Sequence, residues 1–419
     1  MEGSSHDSQE GVLGELRSAI RKLRKQLSGH QSDERLKTIV EVDANFASPV
    51  AACDIIMKGG ITSGVVYPLA IVELAKHYRF SSVGGTSAGA IAAAVTAAAE
   101  YARNVPGRGF LRLTRLPTEA GEILFRLFQP TRTVAPLFQI FVAAFRAKST
   151  AGKIFRMSLA ALWGFLWWAS LFSLGGAIVA LIAWMYASPG FMAFGLLLAL
   201  VGAVMGIAVG LKRTVTTSLQ ENNFGVCSGI RQPGFHGPGF TDWLADLIDE
   251  TAGRDPVKDD PLTFGDLASP GDNRPSIDLR MMTTNLMLGR PHTLPFYDAV
   301  YHFKREDFEK IFPARIMRYL LARSERFLPE AGEQGEYYKF PSAENLPVVV
   351  AARMSLSFPF LICAVPLYAH DRTLKGEESK PCVAACLAME DCRAISPSTS
   401  SIACFRPDPL LRSHSINTM

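Results

Sequence analysis

The sequence predicts an α/β fold interrupted by a long apolar helical hairpin. Two successive strand–glycine turn–helix units and one stretch of 55 residues without a charged side chain carry that prediction. The first unit runs from an apolar strand at Cys53–Met57 through a glycine-rich turn into a helix at Tyr67–His77. The second follows at once. Tyr78–Val83 reads as a strand, Gly84-Gly85 as a turn, and Ala88–Ala102 (AGAIAAAVTAAAEYA) as a helix of almost pure helix-forming composition.

Between that second strand and its helix stands Gly85-Thr86-Ser87-Ala88-Gly89, a Gly-x-Ser-x-Gly frame. A serine at a sharp strand-to-helix turn is held in a strained backbone. Glycine two residues to either side, here Gly85 and Gly89, lets strand and helix pack past it. The Ser87 hydroxyl then stands at a helix N-terminus, where the dipole and free N–H groups favour negative charge. Upstream, Lys58-Gly59-Gly60-Ile61-Thr62-Ser63-Gly64 closes the first strand. Adjacent glycines let backbone N–H groups converge on a point, which suits a phosphate or the oxyanion of a tetrahedral intermediate. A nucleotide-binding loop needs Gly-Lys-Ser/Thr at its end, and Gly64 is followed by Val65-Val66. By itself a Gly-Gly turn is more often structural; the oxyanion reading, with donors around Gly59 and Gly60, stands because a nucleophile turn follows at the next strand.

Lys-Gly-Gly-x-x-x-Gly followed by Gly-Thr-Ser-Ala-Gly-Ala resembles the patatin-like phospholipases, in particular their bacterial membrane-associated branch. Asn222-Asn223-Phe224-Gly225, Leu262–Leu267, Met282-Thr283-Thr284-Asn285 and Arg353–Pro359 extend the resemblance over roughly residues 50 to 370. It implies a three-layer α/β/α sandwich, lipid acyl esters as substrates, and a Ser–Asp dyad with Ser87 as nucleophile. It implies no cofactor and no metal. The usual Gly-x-Gly-x-x-Gly oxyanion loop is here Gly59-Gly60-Ile61-Thr62-Ser63-Gly64, a departure from the pattern.

The chain has 419 residues, 48% of them hydrophobic, and a mean hydropathy of +0.15. The excess comes from Met157–Leu211, which holds no Asp, Glu, Lys, Arg or His and is broken near Ser188-Pro189-Gly190. A bilayer core of about 30 Å takes about 20 helical residues, so each side is long enough to span. The expectation is an antiparallel transmembrane hairpin of Ser158–Tyr186 and Phe191–Leu211, with Trp163, Trp167, Trp168, Trp184 and Tyr186 at interfacial depth. Arg146, Lys148, Lys153 and Arg156 precede it and Lys212 and Arg213 follow, which puts both ends on the cytoplasmic side. The first 50 residues contain no apolar core segment of a signal peptide.

A formal charge of +4 is too small to argue for nucleic acid. The basic residues are local. Leu13, Leu16, Ile20, Leu23 and Leu27 repeat in steps of three and four, with Arg17, Arg21, Lys22, Arg24 and Lys25 on the other faces. This is a basic amphipathic helix suited to an anionic membrane surface, or to self-association through a short coiled coil. The domain reading is therefore an N-terminal extension (1–50), the α/β domain in two parts (51–154 and 213–380) around the hairpin (155–212), and a tail (381–419).

The tail differs from the rest. Four of the seven cysteines fall after residue 380, without zinc-site spacing, and apolar periodicity stops. The resemblance implies an Asp-Gly turn here to carry the catalytic aspartate, yet the chain has no Asp-Gly dipeptide. Asp371 lies before the tail, and Asp391 is followed by Cys392. The tail is therefore expected to stay outside the fold, with the sheet one strand short and no catalytic aspartate identified. Two further readings stand beside the hydrolase: a non-catalytic membrane protein retaining the fold, and an α/β-hydrolase triad with His236, His292, His302 or His370 as base.

The codons of Ala388-Met389-Glu390-Asp391, read two bases later, permit Asp-Gly-Gly, and Pro397–Ile402 in that frame permits Ile-His-Phe-Phe-Asp. A frameshift shortly before residue 381 accounts for both. Translation of the gene in the alternative frame is expected to show Asp-Gly at codons 388 to 390; its absence there ends the frameshift reading.

Overall fold

The computed structural model describes Phe46, Pro49 and residues 51–59, 66–146, 149–186, 188–271, 276–286, 289–296, 300–327, 335–357, 360–370 and 381–388. The expected basic helix at residues 13–27 and the Gly60–Val65 turn lie outside these. The described chain is a mixed α/β structure in two compact units. One comprises residues up to Leu127, Thr241–Leu356 and the chain from Pro366; the other comprises Phe128–Phe240 and Ser357–Val365.

The first unit is built on a nine-stranded mixed sheet. At one edge β1 (Ala51–Gly59) pairs in parallel with β2 (Tyr78–Ser87), and β2 pairs in parallel with β4 (Asp278–Asn285). β3 (Gly225–Cys227) belongs to the other unit. Beyond β4 come β5 (Arg290–Leu294), β6 (Tyr301–Lys304), β7 (Arg326–Phe327), β8 (Tyr337–Lys339), β10 (Val365–His370) and β11 (Pro381–Ala388).

Two helices follow the first two strands, as the sequence predicts: α1 (Tyr67–Ala75) and α2 (Ala88–Tyr101). Pro68 sits in the first turn of α1, where its missing N–H costs nothing. The alanine richness of α2 has a second cause besides propensity. Ala90, Ala93, Ala94, Ala97, Ala98 and Ala99 are all fully buried, so only small side chains fit.

One buried ion pair fastens the start of this arrangement. Arg103, just past α2, donates to Glu100 Oε2 at 2.6 Å, to the carbonyls of Phe46 and Ala75 at 2.9 Å each, and to Tyr78 O at 2.8 Å. Glu100 in turn accepts from the Phe80 N–H at 3.2 Å. The end of α1, the start of β2 and the end of α2 thus converge on one guanidinium, which lies 4.7 Å over the Phe110 ring.

The second unit holds α4 (Ala135–Arg146), α5 (Thr150–Gly164), α6 (Leu166–Met185) and α7 (Pro189–Arg213), with α3 (Phe110–Leu127) preceding it in the first. A short parallel pair of β3 with β9 (Phe360–Ile362) packs Val226 and Cys227 on Val134 and Leu137. The predicted hairpin is present as α6 and α7, with one correction. Its first arm is not a single helix from Ser158: the backbone turns at Phe165 (φ −115°, ψ 22°) and separates α5 from α6. The cause is local packing, because Phe165 is buried against Gly210 of α7 while Gly164 abuts Pro136. A Cβ added at Gly176, Gly195, Gly202 or Gly206 would stand 2.2–2.4 Å from backbone of the facing helix, so the arms touch main chain to main chain. Helices Leu166–Met185 and Pro189–Glu221 are long and apolar enough to cross a membrane, with peak mean hydropathies of 1.9 and 2.5.

The expectation for the tail needs a larger correction. Pro381–Ala388 is a strand of the sheet, β11, between β4 and β10, so the sheet is not short of it. The run Cys382–Ala388 carries no apolar/polar alternation, so local pattern did not mark it as a strand.

Arg103→Met is expected to destabilise the protein by about 3–5 kcal/mol, because it strands a buried carboxylate and three carbonyls. Chemical unfolding of detergent-solubilised protein measures it; a change below about 1 kcal/mol would show that the pair is incidental.

Candidate active site

Ser87 lies where the sequence reading places it, as the last residue of β2 and the N-cap of α2. Its backbone is at φ 59°, ψ −128°, outside the regions an L-residue adopts freely. Such a conformation costs about 1–3 kcal/mol and persists only where the surroundings impose it.

The flanking glycines supply that imposition. A Cβ on Gly85 would stand 2.3 Å from Gly89 O and 2.7 Å from the Ala93 Cβ. One on Gly89 would stand 1.9 Å from Met57 O, deep inside van der Waals contact with the β1 backbone. Both glycines exist so that β2, α2 and β1 meet at van der Waals distance around Ser87. In the parallel register of β1 and β2, Gly59 is directly opposite Ser87. The candidate oxyanion glycine and the candidate nucleophile are therefore neighbours on adjacent strands. Gly60 lies outside the described residues. Tyr67, at the start of α1, donates its hydroxyl to Lys58 O at 2.6 Å and holds the end of β1 to the helix that follows.

A residue to which the sequence reading assigned no role completes the turn. The Ser87 N–H donates to Ser355 Oγ at 3.3 Å, and the Ser355 hydroxyl donates to Met282 O at 2.5 Å. Ser355 closes the wholly buried helix Val348–Ser355, and the Thr283 hydroxyl anchors that helix through Met354 O at 3.0 Å. Ser355 lies in Arg353–Pro359, a segment legible only as part of a family resemblance. Nothing in its spacing pointed to Ser87, 268 residues away.

Register alone brings a second element to the serine. β5 occupies one edge of β4 across Met281–Asn285, so β2 and β11 share the other edge. β2 runs parallel to β4 and its Thr86 pairs with Met282; β11 runs antiparallel and its Ala388 pairs with Thr284. The two strands point at one another, and the C-terminal end of β11 stops just beyond Ser87.

Among the described residues the Ser87 hydroxyl has no hydrogen bond, and none of His236, His292 or His302 reaches it. Asp371 and Asp391 lie outside the described residues. His292 sits on β5 opposite Thr283, its ring edge-on to Phe296 and Tyr301 and its Nε2 buried without a partner. Burial, with the Arg290 charge nearby, holds its pKa below the usual histidine value, so it is a neutral packed side chain.

No protein-family profile and no solved structure matches the chain. It is similar to a protein of Rhizobium meliloti (strain 1021) named RpoH suppressor, with 34% identity over 365 residues. That alignment covers 80% of this chain and 55% of the relative, so the chain spans about half of that protein's length.

Gly89→Ala is expected to displace α2 from β1, lower stability by several kcal/mol and abolish reactivity of Ser87, because the new methyl meets backbone that cannot yield. Circular dichroism melts with serine-probe labelling measure both; a variant that melts and labels like the parent would show that the close approach is not required.

Proposed function

We propose that this chain is a membrane-anchored serine lipid acyl hydrolase of the patatin-like type. In this reading the first unit is a three-layer α/β/α sandwich, and α6 and α7 form a transmembrane hairpin with both ends on the cytoplasmic side. The observation that carries it is the Ser87 turn: a strained serine between a parallel strand and a helix N-terminus, with glycines two residues away on each side that tolerate no Cβ.

The chemistry follows from those parts. Ser87 Oγ attacks the ester carbonyl, the alcohol leaves, and water then releases the fatty acid from the acyl-serine. Backbone N–H groups of the Gly59-Gly60 turn and the first turn of α2 hold the oxyanion. The Ser87 N–H is turned to Ser355 instead. A carboxylate must take the serine proton, and the chain lacks the Asp-Gly turn expected to present one. The end of β11 faces the end of β2, which is where the alternative reading frame permits Asp-Gly. Without that base, turnover falls by roughly 10⁴-fold or more.

A second reading, a non-catalytic membrane protein retaining the fold, is favoured by a Ser87 hydroxyl without a hydrogen-bond partner among the described residues. A fluorophosphonate probe and a lipid-ester assay separate the two. The expected result is labelling that Ser87→Ala eliminates, turnover close to background, and no change on Asp391→Asn. Labelling undiminished in Ser87→Ala would rule out Ser87 as the nucleophile, and absence of both signals would leave the non-catalytic reading.

A further inference from the structure

α5 has the length and surface of neither a core helix nor a spanning one. Its 15 residues rise about 22 Å, short of a bilayer core of about 30 Å. None of its residues is buried, yet Ile154, Phe155 and Trp163 are each more than 60% exposed. Phe155, Leu159, Leu162 and Trp163 follow the i, i+4, i+7, i+8 spacing of one helical face. Arg156 falls on one flank of it, and Lys153 lies further round the same side.

The helix is continuous with the apolar spans but set off from them. Ser149 caps its start, accepting from the Gly152 N–H at 3.1 Å, and the Phe165 turn ends it one residue before α6. Phe165 packs on Gly210, so the end of α5 lies level with the end of α7, where Lys212 and Arg213 stand. The Arg213 guanidinium lies 5.7 Å from the Trp168 ring centroid. Cations and indole rings therefore gather at the hairpin end from which α5 departs, the pairing that marks a membrane–water boundary.

We propose that α5 is an interfacial helix that docks on an anionic phospholipid surface. Its Phe155–Trp163 face enters the boundary between headgroups and acyl chains. Lys153 and Arg156 meet headgroup phosphates from its flank, as basic amphipathic helices do. The proposal rests on α6 and α7 spanning the bilayer, since that places α5 at the surface. It adds a lipid preference that neither span confers, because α6 holds no charged side chain and α7 only its terminal pair.

The full chain, reconstituted into vesicles of phosphatidylcholine with or without phosphatidylglycerol, tests it. A photo-crosslinking phenylalanine analogue is placed singly at Phe155, at Leu200 on α7, or at the solvent-exposed Val257. Phe155 and Leu200 are expected to capture lipid and Val257 none, with capture at Phe155 higher in the anionic vesicles. Lys153→Glu with Arg156→Glu is expected to cut Phe155 capture there by about fivefold per charge, leaving Leu200 unchanged. Capture at Leu200 but not at Phe155 overturns the role of α5 and leaves the spans intact. Equal capture at Phe155 in both vesicle types overturns the anionic preference. Capture at neither position overturns the spanning reading and the proposal with it.

Discussion

The first unit depends on a backbone contact with no room for a side chain: Gly89 of α2 against the carbonyl of Met57 on β1. That approach forces the chain through a positive-φ turn at Ser87, lines Gly59 up beside it, and leaves the serine at the mouth of a helix dipole. Every other feature near the site supports the contact. The alanines of α2 keep the helix low on the sheet. Arg103 gathers three carbonyls and Glu100 at its far end, and Ser355 ties the Ser87 amide to β4. Strain at one residue is balanced by interactions spread over four elements.

The same device recurs in the second unit for a different purpose. Glycines of α7 meet the main chain of α6, giving the two apolar helices close van der Waals packing. Leu174, Leu181, Leu197, Leu200 and Val204 face outward. An apolar surface of that extent is unstable in water and unremarkable in a bilayer. The Phe165 turn sets the apolar hairpin off from the α5 that precedes it, which carries Lys153 and Arg156.

The chemistry of the site is unevenly supplied. The strained turn and the helix N-terminus are in place at Ser87, whereas its hydroxyl has no hydrogen-bond partner among the described residues. The convergence of β2 and β11 on one edge of β4 shows where the sheet delivers a second chain segment to the serine.

Local sequence determined the strand–turn–helix unit around Ser87, its two glycines and the two apolar helices, because composition and period act within a dozen residues. It also shows that the chain has no Asp-Gly dipeptide. Only the tertiary structure decided the rest. Hydrogen bonding to β4 gives Cys382–Ala388 a place in the sheet that its lack of alternation concealed. Burial of Phe165 on Gly210 breaks a helix that hydropathy reads as continuous. Ser355 reaches Ser87 through sheet pairing across 268 positions. Each is a long-range contact between segments that carry no signal of one another, so their pairing energy is written in the fold and not in any local pattern.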